Sequence, residues 1–189
     1  MFGKKKKQNF RIIAVLEELN DVSTMLKDYF DEYGYKSGIV TKIEVNNPND
    51  ITILQIDPNH LIDLKDYKIE SMVINLKSPL IYQKEILTLC KKIEKTGSIV
   101  ADKKALDKLE KKIKKDTLIA KIDYSTQDET RTNGSYKNVA FYAESITKSL
   151  YKYSDKDDSA DKMWKINNKY AYRLEALLFA TVNSCGLIS

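Results

Sequence analysis

Between Ile39 and Leu76 the chain alternates runs of β-branched and aliphatic residues with clusters of turn residues, and this pattern constrains the fold most. Ile39, Thr41, Ile43 and Val45 alternate with Lys42, Glu44 and Asn46, the period of a half-buried strand. The cluster Asn46-Asn47-Pro48-Asn49-Asp50 is dense turn chemistry, because Asn and Asp side chains bond their own backbone and proline fixes φ. Ile51 to Ile56 reads as a second strand, apolar on both sides and therefore central. Asp57-Pro58-Asn59 turns the chain again before a third strand over Tyr67 to Leu76. The simplest topology is a three-stranded antiparallel meander, to which Thr117 to Tyr124 adds a fourth strand.

Helical spacing surrounds this region. Ile12, Leu16, Leu19, Leu26, Phe30 and Tyr33 recur at helix-like intervals between Phe10 and Tyr33. Asn20-Asp21 interrupts the run, with Asp21 capping a second helix that Gly34 ends; a strand over Phe10 to Leu16 is the alternative. Ser78-Pro79 starts a helix that runs to Lys95. Gly97 then ends it and Ser98 caps another helix to about Lys115, giving an antiparallel α-hairpin over 78–116. Tyr136 to Tyr153 and Ala160 to Ser184 close the chain as two more helices. The expectation is an α+β fold: a small antiparallel sheet of about four strands with an N-terminal helix, a central α-hairpin and two C-terminal helices. Residues 1–8 read as a flexible basic arm and 9–189 as one domain, as a length of 189 residues suggests.

Composition excludes several classes. Hydrophobic residues at 42% and charged residues at 31% are those of a globular chain. The longest apolar run, Ala176 to Ala180, is far short of a membrane span. The apolar stretch after Lys4 to Lys7 is too brief for a secretory leader. Cys90 and Cys185 have no metal or disulfide spacing and read as small buried thiols in a reducing compartment, the cytoplasm or a virion.

Charge is unevenly spread. Residues 77–121 hold thirteen lysines against six acids, and the other concentrated excess is Lys4, Lys5, Lys6 and Lys7. On the expected hairpin Lys104, Lys108, Lys111 and Lys115 form one stripe and Lys84, Lys91 and Lys95 another. Together with the arm they would attract phosphate backbones or an acidic surface; the plainer alternative is a solvated helix face. Only Arg11, Arg131 and Arg173 are arginines, which favours backbone contact over base reading.

Catalytic chemistry lacks parts. His60 is the single histidine, and Asp57, His60 and Asp63 make a thin metal set beside turn residues. Asp155, Asp157, Asp158 and Asp161 lack the glycine and glutamate of a calcium loop. The six glycines form neither a dinucleotide fingerprint nor a P-loop. The sequence therefore points to no catalytic residue, metal or cofactor. It suggests a non-catalytic structural or assembly subunit of the phage-virion type, with protein partners or self-association. A sequence-non-specific nucleic-acid binder is the alternative.

Overall fold

In the computed structural model, residues 8–113 and 118–122, Leu174, Leu177, Leu178 and residues 180–186 are described. Six strands form one all-parallel sheet: β1 (Arg11–Glu17), β2 (Ser37–Val40), β3 (Ile51–Ile56), β4 (Ile69–Asn75), β5 (Ile93–Asp102) and β6 (Leu118–Ile122). Their order is β2-β3-β1-β4-β5-β6. This replaces the expected antiparallel four-stranded sheet, and the fold is α/β.

The central strands explain the parallel arrangement. Ile12 to Leu16, Ile53 and Leu54, and Met72 to Ile74 are buried on both faces, as strands covered on two sides require. One face packs Ile13, Val15, Ile51, Ile53 and Val73 against Val22, Leu26 and Phe30 of α1 (Asp21–Glu32). Leu174, Leu177, Leu178, Ala180 and Val182 join the same cluster from the C-terminal helical residues. The opposite face packs Ile12, Ala14, Leu16, Leu54 and Ile74 against Ile86 and Leu89 of α2 (Gln83–Cys90) and Leu106 and Leu109 of α3 (Lys103–Leu109).

Chain direction and face are coupled. The α1 crossover moves two positions outward, from β1 to β2, on the first face. The connections through Ile43 and through Ile62 and Leu64, and then α2 and α3, move the other way on the second face. Opposite directions on opposite faces keep one hand throughout, as a twisted parallel sheet demands. The loop after β1 thus leaves to one face and its neighbours' loops to the other, which opens a crevice at the carboxyl end of β1.

Two expectations fail for identifiable reasons. Residues 78–116 contain no α-hairpin: a 3-10 turn over Pro79–Tyr82 leads into α2, and β5 separates α2 from α3. Gly97 lies in β5, in a bulge between the Ile69–Ile93 and Ser71–Ser98 pairings. A Cβ there would lie 2.8 Å from the Glu70 carbonyl oxygen, so glycine permits the close backbone approach. Ile12 to Leu16 belong to β1, so the strand alternative over Phe10 to Leu16 holds in place of the helix.

At the other end of α1 the reading was sound. Gly34 takes φ +77°, its N–H bonds Asp31 O, and Tyr35 N–H bonds Phe30 O, which is the Schellman stop. The helices expected over 136–153 and over most of 160–173 lie outside the described residues, as do Lys4 to Lys7 of the arm. Gln8 is tied down, its side chain donating to Phe10 O and Lys68 O and accepting from Lys68 N–H.

Candidate functional site

Among the described residues a recess runs along the outer edge of the sheet, from the turn before β3 to the carboxyl end of β2. It is a groove of about 360 Å³ at the β2–β3 edge, floored by Ile39 and Val40 and walled by the 41–50 loop and Gln55. That volume lies at the small end of ligand sites, which run roughly 300–1,000 Å³.

The polar lining follows from the turn chemistry. Asn47 is committed at both ends: its Oδ1 accepts Asn49 N–H at 2.9 Å and its Nδ2 donates to buried Thr52 Oγ1 at 2.5 Å. This Asx turn fixes Asn49, whose own side-chain amide makes no hydrogen bond among the described residues. The amide rests over Gly38. A Cβ at residue 38 would lie 2.5 Å from Asn49 Nδ2, so the glycine supplies the space that the amide occupies. Gln55 donates to Asn20 Oδ1 at 3.0 Å and joins the groove to the start of α1. Lys42 and Glu44 stand 3.7 Å apart at the rim, both well exposed, so the rim cation is matched by an acid.

Glu17 ends β1 and is 9% exposed. Its Oε2 accepts Val22 N–H at 2.9 Å, and its Oε1 accepts Ser23 N–H at 3.1 Å and Ser23 Oγ–H at 2.6 Å. The first-turn donors of α1 are therefore capped by Glu17. Asn20, the N-cap residue, supplies no side-chain cap of its own. Burial pushes the Glu17 carboxyl above its ordinary value, against the pull of these three hydrogen bonds.

The lysines singled out in the sequence are scattered. Lys84 lies on α2, Lys91 at its end, Lys95 on β5, Lys104 and Lys108 on α3, and Lys111 in the 3-10 turn Glu110–Lys112. Lys84, Lys91, Lys95, Lys108 and Lys111 are exposed; Lys115 and Lys4 to Lys7 lie outside the described residues. The hairpin that would have aligned them does not form. His60 Nδ1 sits 3.0 Å from Asp57 Oδ2 on an open surface, and this hydrogen bond holds the Asp57 carboxyl below its usual range. Asp63 instead accepts Lys65 N–H. Among the described residues no three His, Cys, Asp or Glu side chains gather to hold a metal, and none of the helices is long and apolar enough to cross a membrane.

A second polar cluster lies at the amino ends of the strands. Arg11 Nε donates to Glu70 Oε2 at 2.6 Å and its Nη2 also meets Glu70 Oε1. Nη2 donates as well to the Cys185 carbonyl at 2.5 Å, where the C-terminal helical residues end. Ser98 Oγ bridges Ser71 Oγ at 2.8 Å and Ser184 Oγ at 2.9 Å. Burial pushes the Cys185 thiol up to about 12, which removes it as a nucleophile near neutral pH. This cluster fastens the chain end to the sheet.

Sequence reasoning missed both Glu17 and the groove. The available signals were an acid closing an apolar strand and the Asn-rich loop beside Gly38. The assembly-subunit reading with its nucleic-acid alternative is corrected accordingly. Leu174, Leu177, Leu178, Ala180 and Val182 pack inside their own chain, and the lysine hairpin is absent. No protein-family model matches the chain, and no curated protein matches it. Among solved structures, a murein peptide ligase from Psychrobacter arcticus is similar at TM-score 0.45 and 15% identity. The match covers 60% of this chain and 32% of that one, so the chain spans about a third of the ligase.

Proposed function

We propose that this chain is a small-molecule-binding domain of the doubly wound kind, with its site in the groove that runs along β2 and β3 at the sheet's edge. The observation that carries the reading is the Asn49 side-chain amide, held by the Asn47 turn, given room by Gly38 and left without an internal hydrogen bond. An amide presents a donor and an acceptor side by side and pairs with a planar ligand edge of the complementary pattern. The groove reaches the carboxyl ends of β2 and β3 at Val40 and Gln55, the end at which open parallel sheets take ligands.

The test is thermal stabilisation of the full chain by a panel of nucleosides, monosaccharides and amino-acid amides. At least one compound should raise Tm in the wild type and lose most of that effect in both Asn49→Ala and Gly38→Ala. A folded wild type that no compound stabilises, or binding indifferent to both substitutions, contradicts the reading.

A further inference from the structure

This inference rests on the groove reading and names its ligand class. β2 is the outermost strand on its side of the sheet, so one of its backbone edges has no strand beside it. The register decides which groups face that way. Ile51 N–H bonds Lys36 O, and the Ser37–Ile51 and Ile39–Ile53 pairings then turn the Gly38 N–H and C=O and the Val40 N–H toward β3. Backbone groups of successive strand residues point to opposite sides, so those of Ile39 face the open edge. Ile39 is 37% exposed and lines the groove, and its N–H and C=O make no hydrogen bond among the described residues.

The Asn49 amide puts a second donor and acceptor on the same groove. A ligand with a single polar edge can satisfy one of these two pairs. An extended peptide presents N–H and C=O together on one side at every second residue, and so can satisfy both. Ile39, Val40 and Pro48 give its side chains an apolar wall. The charged lining residues, Lys42 and Glu44, stand 3.7 Å apart and match one another, which leaves no unbalanced charge to hold an ionic group.

We propose that the groove binds a short, extended, uncharged peptide segment that adds a strand to the outer edge of β2, with the Ile39 backbone and the Asn49 amide as its two anchors. In strand addition main-chain pairing supplies affinity and the wall beside it supplies side-chain preference.

The experiment titrates the full chain with an acetylated, amidated tetrapeptide of alternating valine and alanine, and with analogues N-methylated at each backbone nitrogen in turn. Calorimetry gives the affinity, and NMR follows hydrogen exchange at the Ile39 amide. The parent peptide should bind and should protect Ile39 N–H from exchange. At least one N-methylation should weaken binding about tenfold, as losing a buried hydrogen bond does. Asn49→Ala should lose about as much. Ile39→Pro removes the outward N–H and no bond to β3, so it too should weaken binding. If that variant fails to fold, exchange at Ile39 in the wild type decides the same point. Binding that leaves Ile39 exchange unchanged, or that is indifferent to every N-methylation, overturns the proposal. So does an Ile39 amide already protected by self-association of the free chain, because a second copy then holds the edge. If the peptide does not bind but another compound of the panel stabilises the wild type and not Asn49→Ala, the proposal falls and the groove reading stands. If nothing binds, both fall.

Discussion

Two regions of the parallel sheet are built differently: the amino ends of its central strands and the groove along its β2 edge. At the amino ends polar groups face one another: Arg11 with Glu70 and the Cys185 carbonyl, Ser98 with Ser71 and Ser184, Gln8 with Lys68. Ser37 Oγ, at the start of β2, is buried without a partner among the described residues. In the groove the Asn49 amide makes no hydrogen bond among the described residues. One region is cross-linked and the other has hydrogen-bonding capacity facing outward. Stability and recognition are thus separated between the central strands and the outer edge, and substitutions in the two regions should separate them too.

The largest effect should come from Gly97→Ala. The added Cβ would sit 2.4 Å from Ile93 Cγ2 and 2.8 Å from the Glu70 carbonyl, and the backbone cannot yield as a side chain can. Denaturant unfolding should show a loss of about 3 kcal/mol, with ligand affinity of the surviving folded fraction unchanged. Glu17→Ala comes next. Removing a buried cap that serves three donors should cost about 2 kcal/mol, in the range of strong N-caps.

Glu17 also has a pH signature. Because burial raises its folded-state pKa, the folded chain holds that proton more tightly than the unfolded chain does. Its contribution to stability is therefore largest in acid and is lost as pH rises from the ordinary carboxylate range through the raised value. Asp57, held low by His60, contributes with the opposite sign. Subtracting the Glu17→Gln profile from that of the wild type isolates the Glu17 slope, and a difference that rises with pH would refute the assignment.

Arg11→Met should cost about 1 kcal/mol, because the Arg11 side chain is 39% exposed and its pairing is screened by solvent. Its sharper consequence is local: faster amide exchange at Cys185 and Gly186, whose anchor it removes. Gly38→Ala should be the mildest, under about 0.5 kcal/mol, since the atom in the way is the end of the Asn49 side chain. It should nonetheless lower ligand affinity more than Gly97→Ala does. The reverse ranking would erase the distinction between the two regions.

What the sequence revealed divides along the same lines. Local chemistry was legible: Ile51–Ile56 was read with its observed bounds, and the Gly34 stop of α1 follows from left-handed φ. Strand direction was not. The parallel β2–β3 pair is joined by residues 41–50 with no helix, a connection short enough to pass for a hairpin, since parallel crossovers usually take a dozen residues or more. Gly97 misled for a related reason, because a glycine that permits a strand bulge and one that ends a helix look alike without knowledge of what packs beside them. The lysines were read as a ridge on the strength of that false hairpin. The groove was hidden because its elements, Gly38, Asn49 and Gln55, meet only through pairing of β2 with β3.

The central claim is that recognition belongs to the groove along the β2 edge of the sheet. Its most direct test is an NMR titration of the full chain with the best-binding compound of the panel, following side-chain and backbone amides together. The account predicts saturable shifts at the Asn49 and Gln55 side chains and at Asn20, with Arg11, Ser71 and Ser98 unmoved. Shifts confined to the amino-end cluster, or an Asn49 amide that never moves while the ligand binds, would contradict it.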